Sequence, residues 1–194
     1  MSKSGLFTLV GDIVRVIDTI TGFIGKLISW LTLLMVLLTF TIVVMRYGFN
    51  MGSVALQESV LYFHGLVFML GAAYTLKADG HVRVDIFYQR FSEKNKALVN
   101  IIGSVFLLLP VCIFIFLISF DYVITAWRIL EQSPEAGGLP FVYLLKSYLL
   151  LLALTLLLQG IAEVGRNLLI ISSEKTTQAS NFPANQVNTK GEVK

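Results

Sequence analysis

The sequence predicts an all-α integral membrane protein: four transmembrane helices, both termini cytoplasmic, preceded by an N-terminal amphipathic helix at the membrane interface. Three observations lead there. Of the 194 residues, 56% are hydrophobic and only 14% charged, where soluble domains carry roughly 25% charged residues. The charges leave four long gaps, Leu27–Met45, Ser59–Leu76, Ala97–Phe120 and Ser147–Ala162, of 19, 18, 24 and 16 residues. Lys and Arg, finally, alternate from one connection to the next. Four uncharged runs of this size exclude a water-soluble enzyme.

Crossing a hydrocarbon core of roughly 30 Å takes about 20 helical residues, and a segment in lipid must pair its own backbone groups. Runs such as LTLLMVLLTFTIVVM lack the polar–apolar alternation of a barrel strand. The expected spans are therefore residues 27–46, 56–76, 97–120 and 141–163, inside a membrane domain of residues 27–172. Helical character is expected to run on past the third span through Trp127 and Arg128 towards residue 131. The fourth gap is short, and Lys146 is expected to snorkel from the first turns of its helix.

Orientation follows from the fifteen basic residues. Three precede the first span, Arg46 alone follows it, and five lie between the second and third spans. Arg128 and Lys146 flank the third connection, and four residues follow the fourth span. Short cytoplasmic loops are enriched in Lys and Arg, so the N-terminus, the second connection and the C-terminus face the cytoplasm. The net charge of +3 then reflects membrane orientation and contact with anionic lipids, not nucleic-acid binding. A cleaved signal peptide is not expected, because no small-residue site follows the first apolar run.

Residues 1–26 carry Leu6, Val10, Ile13, Ile17, Ile20 and Ile24 at alternating spacings of four and three. That is one face of a helix lying in the interface or packed on a partner. The first span closes through Arg46, Tyr47, Gly48 and Asn50, and the second opens through Gln57 and Glu58. A carboxylate inside the membrane is costly unless paired. Arg46 and Glu58 therefore have two readings, an outer ion pair or two separately solvated groups. His64, alone in its span, is expected to hydrogen-bond between helices. Gly71 and Thr75 form a small-residue pair suited to close helix approach.

The second connection, residues 77–88, has an Asp79-Gly80 turn and then mixes His81, Arg83 and Asp85 with large apolar residues. It reads as a basic loop on headgroups or as a docking segment for another chain. Ser92 is placed to cap the third helix. Within that helix Pro110 predicts a kink, and Cys112 reads as an apolar filler. The stretch Glu135-Ala136-Gly137-Gly138-Leu139-Pro140 makes an outer break before the fourth helix, and residues 173–194 read as a disordered tail. No nucleophile with its base, no phosphate loop and no metal-ligand cluster is legible, and no cofactor is expected.

In this order the motifs resemble the small membrane (Q-type) subunit of tripartite ATP-independent periplasmic (TRAP) transporters. The residues that carry the resemblance are Arg46-Tyr47, Gln57-Glu58, Gly71-Ala72-Ala73-Tyr74, Asp79 to Asp85, Glu135 to Pro140 and Lys146, over roughly residues 25–165. The resemblance implies a large multi-span permease subunit and a periplasmic substrate-binding protein as partners, in a bacterial inner membrane. It further implies sodium-driven import of an organic acid. The small subunit would then brace the permease and carry no substrate or ion site. Subunit contact or structural roles fall to Arg46, Glu58, His64, His81, Arg83, Asp85, Arg128, Glu135, Gly137, Gly138, Pro140 and Lys146. Two alternatives stand beside this: a self-contained small transporter or channel, and the membrane anchor of a redox complex. The anchor would need axial haem ligands, for which only His64 has the depth.

Overall fold

The computed structural model describes residues 3–80, Tyr88 and residues 90–180; His81, Arg83 and Asp85 lie outside the described residues. The described chain forms four helices: α1 (Lys3–Gly48), α2 (Val54–Lys77), α3 (Glu93–Arg128) and α4 (Val142–Ser180). Each contains a stretch long and apolar enough to cross a membrane. Among the described residues there is no strand.

α1 runs unbroken through the expected boundary between residues 26 and 27. Its 46 residues extend about 69 Å at 1.5 Å per residue, more than twice the hydrocarbon thickness. The sequence holds no Pro here, so nothing stops the helix, and a separate interfacial segment is not seen. Two rows at seven-residue intervals turn inward along it: Val10, Ile17, Ile24, Leu31, Leu38 and Met45, and beside them Val14, Thr21, Ile28, Met35 and Ile42. A seven-residue repeat keeps one seam against its neighbours when helices coil gently left-handed. The face expected from the sequence shares Val10, Ile17 and Ile24 with this seam. Its Ile13 and Ile20 instead point outward, 46% and 54% exposed. The seam is rotated because Asp18 and Thr21 find polar partners across it.

Helix ends follow local chemistry. Ser53 and Ser92 cap α2 and α3, each hydroxyl accepting a backbone N–H three residues on, at 3.4 Å. Asn50, Asp79 and Leu130 close α1, α2 and α3 in the left-handed conformation, with φ of 51°, 55° and 45°. After α2 and α3 the closing bonds are those of a Schellman turn: Gly80 N–H to Thr75 C=O at 2.9 Å, and Glu131 N–H to Ala126 C=O at 3.0 Å. Within α3, Ser104–Leu108 form a π turn, and the Leu109 N–H bonds Ser104 C=O. Pro110 follows directly. It has no N–H for the α-helical ladder, and the widened turn lets the helix continue through it. α4 also continues further than expected, to Ser180, since neither Gly nor Pro interrupts residues 173–180.

α4 is the helix that packs on all three others, while α1 also packs on α2. The core is built from small side chains: Ala73, Ala97, Cys112, Val123, Ala126, Ala153 and Ala162 are buried. Glycines set the closest approaches. A Cβ at Gly25 of α1 would overlap the Tyr74 ring of α2, and one at Gly160 of α4 would lie 2.9 Å from Leu108. The π turn thus aims Leu108 at Gly160. At Gly71, the expected point of approach, a Cβ would meet Ile28 at an ordinary 3.5 Å.

Candidate functional site

Two polar clusters tie the helices together, one at each end of the bundle. At the end where α2 stops and α3 begins, the centre is Gln159 of α4, which is 0% exposed. Its Oε1 accepts from the Thr21 hydroxyl at 2.9 Å, and its Nε2 donates to Asp18 Oδ1 at 3.1 Å. Arg166, two turns along α4, donates to both Asp18 oxygens, at 3.0 and 3.1 Å, and to Glu163 at 3.0 Å. Lys77 closes α2 onto the Asp18 carbonyl at 2.6 Å. On the far side Asn167 Nδ2 donates to Glu163 Oε1 at 2.8 Å. Asn100 of α3 donates to Asn167 at 3.3 Å, and Tyr88 donates to Asn100 at 3.1 Å.

The chain of bonds therefore joins all four helices. Its two cations, Lys77 and Arg166, are matched by two anions, Asp18 and Glu163, so little net charge is held at this depth. Asp18 lies 30 residues, about 45 Å, from the Gly48 end of α1. That exceeds the roughly 30 Å thickness of a hydrocarbon core. The ion pairs are partly exposed and individually modest. The buried Gln159 matters more, because losing its partners would leave unpaired polar groups at about 1–3 kcal/mol each.

At the opposite end, the connection between α3 and α4 folds over the start of α2. The Glu58 carboxylate accepts from the Ser133 hydroxyl and, at 2.6 Å, from the Leu139 N–H. Ser133 N–H in turn bonds Leu139 C=O at 3.2 Å, and Gly138 N–H bonds Glu135 C=O at 3.0 Å. Two glycines serve this loop for different reasons. Gly137 has φ of 79°, which a side chain resists. At Gly138 a Cβ would come within 2.5 Å of Ser133 Oγ and 2.7 Å of Glu58 Oε1. Gly138→Ala is therefore expected to cost about 1–3 kcal/mol. Gly103→Ala, where a Cβ meets nothing within 4 Å, should cost nothing. Paired thermal melts of the purified protein check the difference.

Lys146 does not simply snorkel. Its ammonium pairs with Glu131 and lies 4.0 Å from the centre of the Tyr122 ring, joining the end of α3 to the start of α4. Trp127 reinforces that joint, donating to the Ser147 hydroxyl at 2.8 Å and meeting Tyr143 edge-on at 4.7 Å. Pro140 stands two residues before α4, where a missing N–H is harmless.

Several residues singled out in the sequence thus sit elsewhere than expected. Arg46 and Glu58 do not pair: Arg46 lines an open groove with Asn50 and Gln57, and Glu58 is held by the loop. Neither expected reading covers Glu58, because the sequence gives no sign that residues 133–139 fold back over it. Arg46, Arg128 and Glu135 are exposed and form no ion pair among the described residues. Among the described residues His64 hydrogen-bonds no other helix. It faces outward and stacks on Phe68, with ring centres 6.4 Å apart. Sequence reasoning misses Asp18, Asn100, Gln159 and Asn167, although Asn100 and Gln159 each stand out as polar residues inside charge-free runs.

Among the described residues no three His, Cys, Asp or Glu side chains gather as metal ligands would. Four apolar helices locked by polar pairs at both ends define a multi-pass membrane protein. The family described as "Tripartite ATP-independent periplasmic transporters, DctQ component" matches residues 35–169. The chain belongs to that family, the small Q component of TRAP transporters, whose members work with a large permease and a substrate-binding protein. It is a family of transporter components, not of enzymes. No curated protein and no solved structure matches the chain significantly.

Proposed function

We propose that this chain is the scaffold subunit of a sodium-driven, binding-protein-dependent importer of an organic acid anion. It braces the large permease in a bacterial inner membrane and holds no substrate or ion site of its own. The match to the Q component over residues 35–169 is the observation that carries this reading. The side-chain chemistry agrees with it. The charged groups of both polar clusters are bonded to groups of the same chain, so what they contribute is rigidity. The alternation of basic residues supports cytoplasmic termini, which puts the Asp18–Arg166 cluster on the cytoplasmic side and the Glu58 loop on the periplasmic side. The exposed rim of Arg46, Arg128 and Glu135 is then the part nearest a docked binding protein, and the basic termini meet anionic lipid.

The second connection, with His81, Arg83 and Asp85, is assigned to the cytoplasmic contact with the permease. Arg83→Glu or Asp85→Lys should lower the yield of large subunit that copurifies, with the binding protein's substrate affinity unchanged. Undiminished copurification and transport in both variants would reject the docking role.

A further inference from the structure

The helices do not turn equal faces outward. On α3 the outward residues Phe106, Leu107, Phe114, Leu117 and Ile118 are apolar, and hydrocarbon satisfies such a surface. On α2 the outward row runs Leu61, His64, Phe68. Directly along from it the surface becomes a groove of about 540 Å³ between α1 and α2, walled by Ile28, Ser29 and Thr32 on one side and by Phe68, Ala72 and Thr75 on the other, with the Tyr74 ring lying over Gly25.

His64 is ten residues into the 24-residue α2, about 15 Å from its start, and so lies near mid-membrane. Its ring stacks on Phe68 and makes no hydrogen bond among the described residues. A neutral imidazole carries one donor and one acceptor, and hydrocarbon offers neither a partner. An outward ionisable group at this depth marks a contact with something polar. The groove beside it has different chemistry. Ser29, Thr32 and Thr75 each donate to the carbonyl four residues back, so its hydroxyls are already satisfied. Such walls offer a packing surface to another transmembrane helix and nothing to an ion.

We propose that this α1–α2 face seats a transmembrane helix of the large permease subunit. The helix lies along this groove and presents a hydrogen-bonding group to His64. A lipid chain would fill the groove but leave the imidazole unpaired, which is why a protein helix is the occupant. The assignment rests on the subunit reading given above and adds which surface performs it.

The test uses the full chain in native membranes, coexpressed with the other two components. A photo-crosslinking phenylalanine analogue replaces Leu61, Phe68 or, on the apolar face of α3, Phe114. Adducts with the large subunit should form from positions 61 and 68 and not from 114. Adducts from 114 alone, or from none of the three while the large subunit still copurifies, would overturn the face but not the subunit reading. Adducts between two copies of this chain would hand the face to self-association and overturn the proposal. Failure of the large subunit to copurify even with the unmodified chain would overturn the subunit reading itself. Independently, His64→Leu should reduce copurified large subunit about three- to tenfold, with the chain's own melting unchanged, and His64→Gln should retain most of it. Equal copurification from both variants would contradict the role given to His64.

Discussion

Gln159→Leu is expected to lower the stability of the isolated chain by about 2–3 kcal/mol. For a protein of this size that is a fall of about 5–10 °C in melting temperature. Leucine fills a similar volume, so the loss comes from polar groups and not from a cavity. The Thr21 hydroxyl loses its acceptor, and Asp18 keeps Arg166 but loses the amide that positions it. Thr21→Val together with Gln159→Leu should recover part of the loss, because removing both partners leaves nothing unpaired. A double-mutant cycle on Asp18→Asn and Arg166→Gln should show coupling, since the two side chains touch directly. If Gln159→Leu melts like the parent protein, the cluster does not hold the helices together.

Glu58→Ala should have an effect of similar size at the other end, expressed more locally. It strips the acceptor from two donors, the Ser133 hydroxyl and the Leu139 N–H. Bonds to a carboxylate are worth about 1.5–3 kcal/mol each, so a loss of about 3 kcal/mol is expected. The loop between α3 and α4 should become open to protease while the helices stay folded, because its other bonds lie within the loop or join it to the adjoining ends of α3 and α4. Glu58→Gln separates shape from charge. The two donors bond different carboxylate oxygens, and the amide keeps only one of them as an acceptor, so its protease sensitivity should fall between that of the parent protein and that of Glu58→Ala. Cleavage within residues 129–141, read by mass spectrometry, checks the order.

The four-helix layout is legible in the sequence because an uncharged run of about twenty residues has few other uses. The helix cap at Ser92, the closures at Asn50 and Asp79, and the break before α4 are legible for a similar reason: each depends on chemistry within a few residues. What stays hidden depends on residues far apart in the chain. Glu58 is 75 residues from Ser133, and Asp18 is 148 from Arg166. No periodicity reveals that they meet. The misplacement of Ile13 and Ile20 has the same origin. Apolar spacing picks out the more hydrophobic face of α1, but the bundle buries the neighbouring face because its polar residues have partners on α4. His64 escapes the sequence reading because a membrane histidine usually points into its own bundle, and here it points out of it.

On the proposed scaffold role, these helices brace a transporter and do not themselves carry solute. The most direct measurement is uptake of labelled organic acid anions by proteoliposomes under an inward sodium gradient, with this chain alone and with its two partner components. The chain alone is expected to show no uptake, and the three together sodium-dependent uptake that is lost when the gradient is collapsed. Uptake by the chain alone at a comparable rate would contradict that role.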